Sequence, residues 1–509
     1  MSAPRSRPEL RRLPFGTRVL YGVGSMANAS LLQTGGLVLL FYNQIVGLNA
    51  ALAGLALAIC TFVDAFWDPL VGWFSDHLGS RLGRRHPLMY LSAVPVSLTA
   101  VLVFDPPRGL SQAGLFGWLL VTVMACRMSI SLYEVPSGAL APELAPEYHD
   151  RTRLLGYRWL LGAIGGAIAA VLIYGIFLAR TARFPQGQLN PAGYAPMAAS
   201  IAALIFVSII VSTVGTQGEV KRLHRPSVSR PGVLAAAREV VRTLGNRNFL
   251  VAVVAGIVAA VSTSVGGGLL IYYGTYFWAL PSESILVLIL TGLISTPIAV
   301  AIAPIVSRRW GKKISCMSLF FASVITNNGP IVLRLLGVFP PNGSPLLLPI
   351  LTATTILTGV LGTGGFILVT SMIADIVEEV QVATGRRSEG LLFSADSLIN
   401  KVVVSFGTVI PGLLLAYVGF PTHARPAHLD PAIMRHLATI AVPLTAGFST
   451  LSIACWAFYR IDEASHARDL ETIAAAAAAP PSPPGLPGVD PLQPLAGARR
   501  GRREASERP

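Results

Sequence analysis

The chain has 509 residues, of which 53% are hydrophobic and only 13% are Asp, Glu, Lys or Arg, with a formal net charge of +14. Soluble domains carry about a quarter charged residues, so this composition excludes an ordinary water-soluble enzyme. The basic excess does not mark a nucleic-acid binder either, because its residues are spread over the short segments between long apolar runs.

Crossing a ~30 Å hydrocarbon core takes about 20 residues of helix, and apolar runs of that length recur twelve times. In chain order the predicted spans are 19–47, 50–75, 87–105, 113–140, 157–179, 195–214, 248–278, 283–307, 314–337, 346–374, 390–419 and 436–459. Arg5, Arg7, Arg11, Arg12 and Arg18 precede the first span and no small-residue cleavage site follows it, so it is expected to be retained as a helix. Eighteen Lys and Arg fall in 76–86, 141–156, 215–247, 307–313 and 375–389, against six (Arg108, Arg180, Arg183, Arg334, Arg425 and Arg435) in the alternate loops. By the positive-inside rule this bias puts both termini in the cytoplasm, here of a bacterial-type inner membrane. Cys60, Cys126, Cys316 and Cys455 all lie in apolar runs without metal or CxxC spacing and are read as small hydrophobes.

The longest polar interruption, 215–247, divides the chain into bundles at 19–214 and 248–460, flanked by a cytoplasmic N-terminus at 1–18 and a tail at 461–509. An internal echo supports the division: Arg81-Leu82-Gly83-Arg84-Arg85 follows the second span and Arg309-Trp310-Gly311-Lys312-Lys313 follows the eighth. Two parallel halves are implied. From about residue 475 the tail is Ala-, Pro- and finally Arg-rich, a composition that cannot bury a core.

A charge at bilayer depth is costly, so each intramembrane acid or base is a candidate functional group. Asp64 and Asp68 are four residues apart, which puts both carboxylates on one helix face about one turn apart, and two such anions need a cation. Carboxylate oxygens suit an alkali ion, while a proton would need one acid of raised affinity; both remain open. Glu134 precedes Pro136, where a local break of the helix is expected to free carbonyls toward a cavity, and offers a third acidic ligand. Arg127, seven residues earlier, shares its face. Lys401 lies deep in the eleventh span with Asp396 five residues before it, and its natural partners are Asp64 and Asp68 of the other half.

The ordered set of short motifs resembles the glycoside–pentoside–hexuronide:cation symporters, the melibiose-permease-like branch of the major facilitator superfamily. It comprises Tyr21-Gly22-Val23-Gly24, Asp64-Ala65-Phe66-Trp67-Asp68-Pro69, Ser80 to Pro87, Glu134-Val135-Pro136, Pro142-Glu143-Leu144, Arg151, Arg158, Ala374-Asp375-Ile376-Val377, Gly385 to Gly390, and Lys401. The resemblance implies an all-α membrane protein, twelve transmembrane helices in two six-helix bundles, with a cation site of Asp64, Asp68 and Glu134 and with Lys401 beside it. It also implies a sugar contact at Arg158. Two further sugar contacts of such relatives, an aspartate and a tryptophan, are replaced here by Ala29 and Gly138. Relatives of this architecture that move lysophospholipids keep the two aspartates and the lysine, so an amphiphilic substrate is the alternative to a sugar.

The expectation is therefore a cation-coupled (Na+ or H+) secondary transporter working by alternating access, not an enzyme. Arg158, Glu134, Arg127 and Asp396 are assigned to the substrate, and Lys401 to coupling. A cytoplasmic gate is assigned to Asp76, Arg81, Gly83, Arg84, Arg85, Arg309, Gly311, Lys312, Asp375, Arg386 and Arg387. No cofactor, no nucleic acid and no metal beyond a bound Na+ are expected; the partners are a small-molecule substrate and the lipid bilayer, with the monomer as the working unit. A membrane sensor that has kept the fold but moves nothing is the rival from another class.

Overall fold

A computed structural model describes residues 13–145, 147–220, 246–384 and 389–461, together with Arg468 and Glu471. Seven single spans come first: α1 (Phe15–Val46), α2 (Ala50–His77), α3 (His86–Val103), α4 (Gln112–Leu144), α5 (Asp150–Phe177), α6 (Pro191–Gln217) and α7 (Arg247–Phe277). The long stretch Ser282–Leu335 holds the next two, α8 before Gly311 and α9 after it, because Gly311 at φ 73° interrupts the helical backbone. Then come α10 (Leu347–Ile376), α11 (Glu389–Tyr417) and α12 (Pro431–Trp456). Residues 221–245 of the division at 215–247, Arg386, Arg387 and, apart from Arg468 and Glu471, the tail from residue 462 lie outside the described residues.

Two local expectations are corrected. Pro136 does not break its helix: α4 runs unbroken through Pro136 and Pro142 to Leu144. A proline removes one backbone N–H, a loss that neighbouring helices in a bundle can offset. The stretch 141–156 is mostly helical rather than loop, since α4 runs to Leu144 and the helical backbone leading into the α5 span already begins at Tyr148. Its first-turn acid Asp150 favours an early start and faces Arg18 at 3.6 Å and Arg153 at 3.8 Å. As the predicted span 50–75 requires, α2 continues past Pro69 to His77, so Asp68 lies within the helix.

Within each half the helices neighbour one another in the same order. In the first, α5 packs on α1, α1 on α6, α6 on α3, α3 on α4 and α4 on α2; in the second, α11 packs on α7, α7 on α12, α12 on α9, α9 on α10 and α10 on α8. The halves meet where α2 lies along α11 and α5 touches α8. Lipid tails are as apolar as leucine, so burial alone does not drive such contacts, and small residues that let backbones approach do. An added Cβ at Gly412 would stand 2.3 Å from the Ala50 carbonyl oxygen and 3.0 Å from the Gly54 Cα, and one at Gly407 would meet Ser264 of α7 at 2.7 Å. Gly412→Ala is accordingly expected to push α11 from α2 and lower stability by about 1–3 kcal/mol, the range of overpacking substitutions, read as a lower melting temperature in detergent; an unchanged melt would refute the tight seam.

The halves are clamped at the face where α1 ends. There α1 closes in a π-helical turn, Phe41–Val46, and its counterpart α7 does the same at Tyr273–Phe277. These wide turns present a polar set. The Tyr276 hydroxyl (2.9 Å) and the Ala424 N–H (2.9 Å) donate to Gln44 Oε1, and Gln44 Nε2 donates to the Pro421 carbonyl (3.0 Å). Tyr272 donates to Asn43 Oδ1 at 3.0 Å, and Gln188 joins Thr275 (3.0 Å) to Ser282 (2.6 Å).

Candidate functional site

Asp64 and Asp68 sit in the middle of α2, facing α4 and α11. Ser131 Oγ donates to Asp64 Oδ1 at 3.2 Å, and the Trp67 indole N–H donates to the Met128 carbonyl at 3.0 Å, so α4 fixes the rotation of the acid-bearing turn. Lys401 comes in from α11 of the other half. Its Nζ lies 3.0 Å from Asp64 Oδ2 and also donates to Asp68 Oδ2. Arg127 Nη1 adds a second positive group 3.6 Å from Asp64 Oδ2. Two acids and two bases thus balance at a site that depends on both halves. The remaining oxygen of Asp68, Oδ1, is buried with no hydrogen-bond partner among the described residues, so one carboxylate oxygen is left over.

Glu134 stands apart from this group in a second pair. Arg158 of α5 donates from Nη2 to Glu134 Oε2 and from Nη1 to the Tyr21 hydroxyl (3.0 Å), which itself donates to the Ser137 carbonyl at 3.0 Å. The guanidinium also lies 5.8 Å from the Tyr21 ring centre, within cation–π range. α1, α4 and α5 are joined here by one polar chain. Glu134 Oε1 is buried without a partner among the described residues. Gly138 lies beside the guanidinium, where an added Cβ would make ordinary van der Waals contact with Arg158 Nη1 at 3.7 Å. The side chain of Asp396 lies outside the described residues.

At the opposite face from the clamp, the two basic loops make equivalent pairs inside their own halves. After α2, Gly83 at φ 90° turns the chain so that Arg84 (2.7 Å) and Arg85 (2.7 Å) both reach Glu143 near the end of α4, while Arg85 also meets Asp76 at 3.0 Å. After α8, Gly311 does the same for Lys312, whose Nζ bonds Asp375 of α10 at 2.7 and 2.8 Å. The positive φ is the reason each loop needs glycine. Arg81 and Arg309 are exposed and make no ion pair among the described residues.

Ser131, Tyr21, Glu143 and the uncharged clamp of Asn43, Gln44, Gln188, Tyr272 and Tyr276 were not singled out from sequence as site residues. The first three stand one turn or less from, or pair directly with, residues that were. The clamp carries no charge, and nothing in its spacing marks it.

Among the described residues, twelve long helices in two equivalent sets of six, meeting around intramembrane ion pairs, define a membrane transporter of the major facilitator class. The chain belongs to the family of MFS/sugar transport proteins, whose model it matches over residues 20–463, and within it to the glycoside–pentoside–hexuronide:cation branch. Its relatives include the isoprimeverose transporter of Lactiplantibacillus pentosus, 26% identical with 92% of this chain and 94% of the relative covered. A putative 2,3-dihydroxypropane-1-sulfonate exporter of Escherichia coli is 25% identical, with 92% and 97% covered. Among solved structures, a single-site mutant of the nucleoside transporter NupG superposes with a TM-score of 0.60 at 14% identity, covering 87% of this chain and 99% of that one, which shows the shared fold. Members of this family are secondary transporters of small solutes and not enzymes.

Proposed function

We propose that the protein couples movement of a cation, Na+ or H+, to that of a glycoside or related small polyhydroxylated solute across a bacterial inner membrane, with both termini in the cytoplasm. The observation that carries this reading is Lys401 of one half held between Asp64 and Asp68 of the other. A cation entering this pair of carboxylates displaces the ammonium and loosens a contact between the halves. Occupancy and conformation then bias each other, which is what coupling requires. The face closed by Gln44 and Tyr276 is, by the charge bias of the loops, the external one, so the described state belongs to the inward-facing side of an alternating-access cycle. The loop pairs around Arg84 and Lys312 set the rigid rims of the cytoplasmic opening. Relatives named for a sugar and for a dihydroxy sulfonate support a polyhydroxylated cargo.

The test is a thermal-shift screen of the purified protein with glycosides, hexuronates, 2,3-dihydroxypropane-1-sulfonate and lysophospholipids, with and without Na+ at two pH values, followed by gradient-driven uptake into proteoliposomes. A ligand at 100 times its Kd stabilises by about 2.7 kcal/mol. Stabilisation by a polyhydroxylated solute that requires the cation, and uptake lost in Asp64→Asn, are the expected results. A shift by lysophospholipids alone replaces the cargo class; no shift and no uptake under either gradient leaves a non-transporting membrane protein.

A further inference from the structure

Among the described residues only two non-glycine positions have a positive φ, Ala279 at 49° and His423 at 54°, and both lie in the second half at the clamped face. A residue with a side chain adopts this left-handed conformation at a cost in free energy, and keeps it only where its surroundings impose it. What imposes it differs between the two. Ala279 ends α7, and the helix end itself holds the turn: the Trp278 N–H donates to the Tyr273 carbonyl at 2.9 Å and the Leu280 N–H to the Gly274 carbonyl at 2.8 Å, as in a left-handed helix cap. His423 has no such support. It lies in the strap Pro421–Ala424 between α11 and α12, which makes four hydrogen bonds among the described residues. Three are with Gln44 of the other half: Gln44 Nε2 donates to the Pro421 carbonyl (3.0 Å), His423 Nδ1 to the Gln44 carbonyl (3.1 Å) and the Ala424 N–H to Gln44 Oε1 (2.9 Å). The fourth, from the Tyr276 hydroxyl to the Ala424 carbonyl at 3.1 Å, does not touch residue 423. The imidazole rests on Gly47 of the first half, where an added Cβ would stand 2.6 Å from Nε2.

We infer that this strap is a strained latch: contact with the first half holds His423 in its left-handed conformation, and the strain is released when the clamp opens. The inference rests on the reading of the chain as an alternating-access carrier. Strain that exists only in the closed state works against the hydrogen bonds of Gln44, so the clamp can be complete in its bonding and still be easy to release. The strap also has room to move, since open hollows of about 500 and 620 Å³ flank it, one lined by Pro421 to Arg425 with His428 and the other by Gly47, Asn49, Gln112 and Thr422. Ala279 is the built-in contrast. Its conformation is imposed by the end of its own helix, so its strain is the same in both states and does not bias one against the other.

The experiment is double electron–electron resonance on the full-length protein in nanodiscs. Spin labels go on Arg108→Cys and Pro345→Cys, exposed positions in loops of the two halves at the clamped face, with the four native cysteines replaced by alanine. Gln188→Ala, present in every sample, loosens the other anchor of the clamp so that both states are populated. His423→Ala removes the imidazole contact and keeps the strain, whereas His423→Gly removes both, so the comparison of the two isolates the backbone. The closed-to-open ratio is expected to be at least threefold higher in His423→Gly than in His423→Ala. Ala279→Gly should raise the melting temperature and leave the ratio unchanged. Equal ratios in the two residue-423 variants, or a lower one with glycine, overturn the latch and leave the carrier in place; so does an equal rise in Ala279→Gly, which would mark a general effect of glycine. A single short distance in every sample overturns the latch together with opening at this face, on which the alternating-access reading depends.

Discussion

Lys401→Met is expected to lower the stability of the protein in cation-free buffer by about 2 kcal/mol, to tighten Na+ binding at least tenfold, and to abolish concentrative uptake. Removing one partner of a fully buried ion pair costs about 3–5 kcal/mol, and the figure is reduced here because the Lys401 side chain is 34% exposed and partly screened by solvent. The substitution leaves Asp64 and Asp68 facing only Arg127 among the described basic residues, so the site carries an excess negative charge. A cation no longer has to displace an ammonium, and a tenfold gain corresponds to about 1.4 kcal/mol. The loss of uptake follows for a different reason: without Lys401, cation occupancy no longer makes or breaks a contact between α2 and α11. Melting curves with and without NaCl, isothermal titration with Na+ and proteoliposome uptake measure the three effects. Na+ affinity and uptake equal to the parent's would remove Lys401 from the coupling mechanism. Adding Asp68→Asn to Lys401→Met should restore the melt and cancel the tightened binding, because charge balance returns.

Arg158→Met has the second large effect, and it separates architecture from transport. Glu134 and Arg158 are both mostly buried, so leaving the carboxylate alone at bilayer depth is expected to destabilise by about 3 kcal/mol. The Glu134→Gln/Arg158→Met double variant, which has no charge to strand, should recover to within about 1 kcal/mol of the parent. It should still fail to transport, since the charged donor and the charged acceptor available to a solute at this point are gone and a neutral amide alone replaces them. Recovery of transport in the double variant would mean that the pair serves only to hold α4 and α5 together.

The fold was legible because hydrocarbon imposes a coarse and local demand: about 20 apolar residues per span, and basic residues kept to one side. Those constraints act on every span separately, so counting them recovered the architecture, and the repeated R-x-G-basic-basic loop recovered the equivalence of the halves. The charged centres were equally visible. Asp64, Asp68 and Lys401 stand out because a charge is so unfavourable in lipid that it survives only where a partner meets it, and the structure brings these three together. The details that went wrong were backbone details, such as the helix continuing through Pro136, where the local preference of proline is outweighed by packing on both sides.

Sequence alone thus determined the number of spans, their pairing into halves, and which charges must find partners. Tertiary structure decided who those partners are. It gave Glu134 to Arg158, which also donates to Tyr21, instead of to the two aspartates, placed Arg127 on Asp64, and assembled a clamp from Asn43, Gln44, Tyr272, Tyr276 and Gln188. The physical reason is that solvation by lipid is a one-residue property, whereas a hydrogen bond between uncharged side chains depends on two helices reaching the same depth and rotation. Residues such as Gln44 and Tyr276, far apart in the chain and neutral, carry no sign of each other until the two halves are packed.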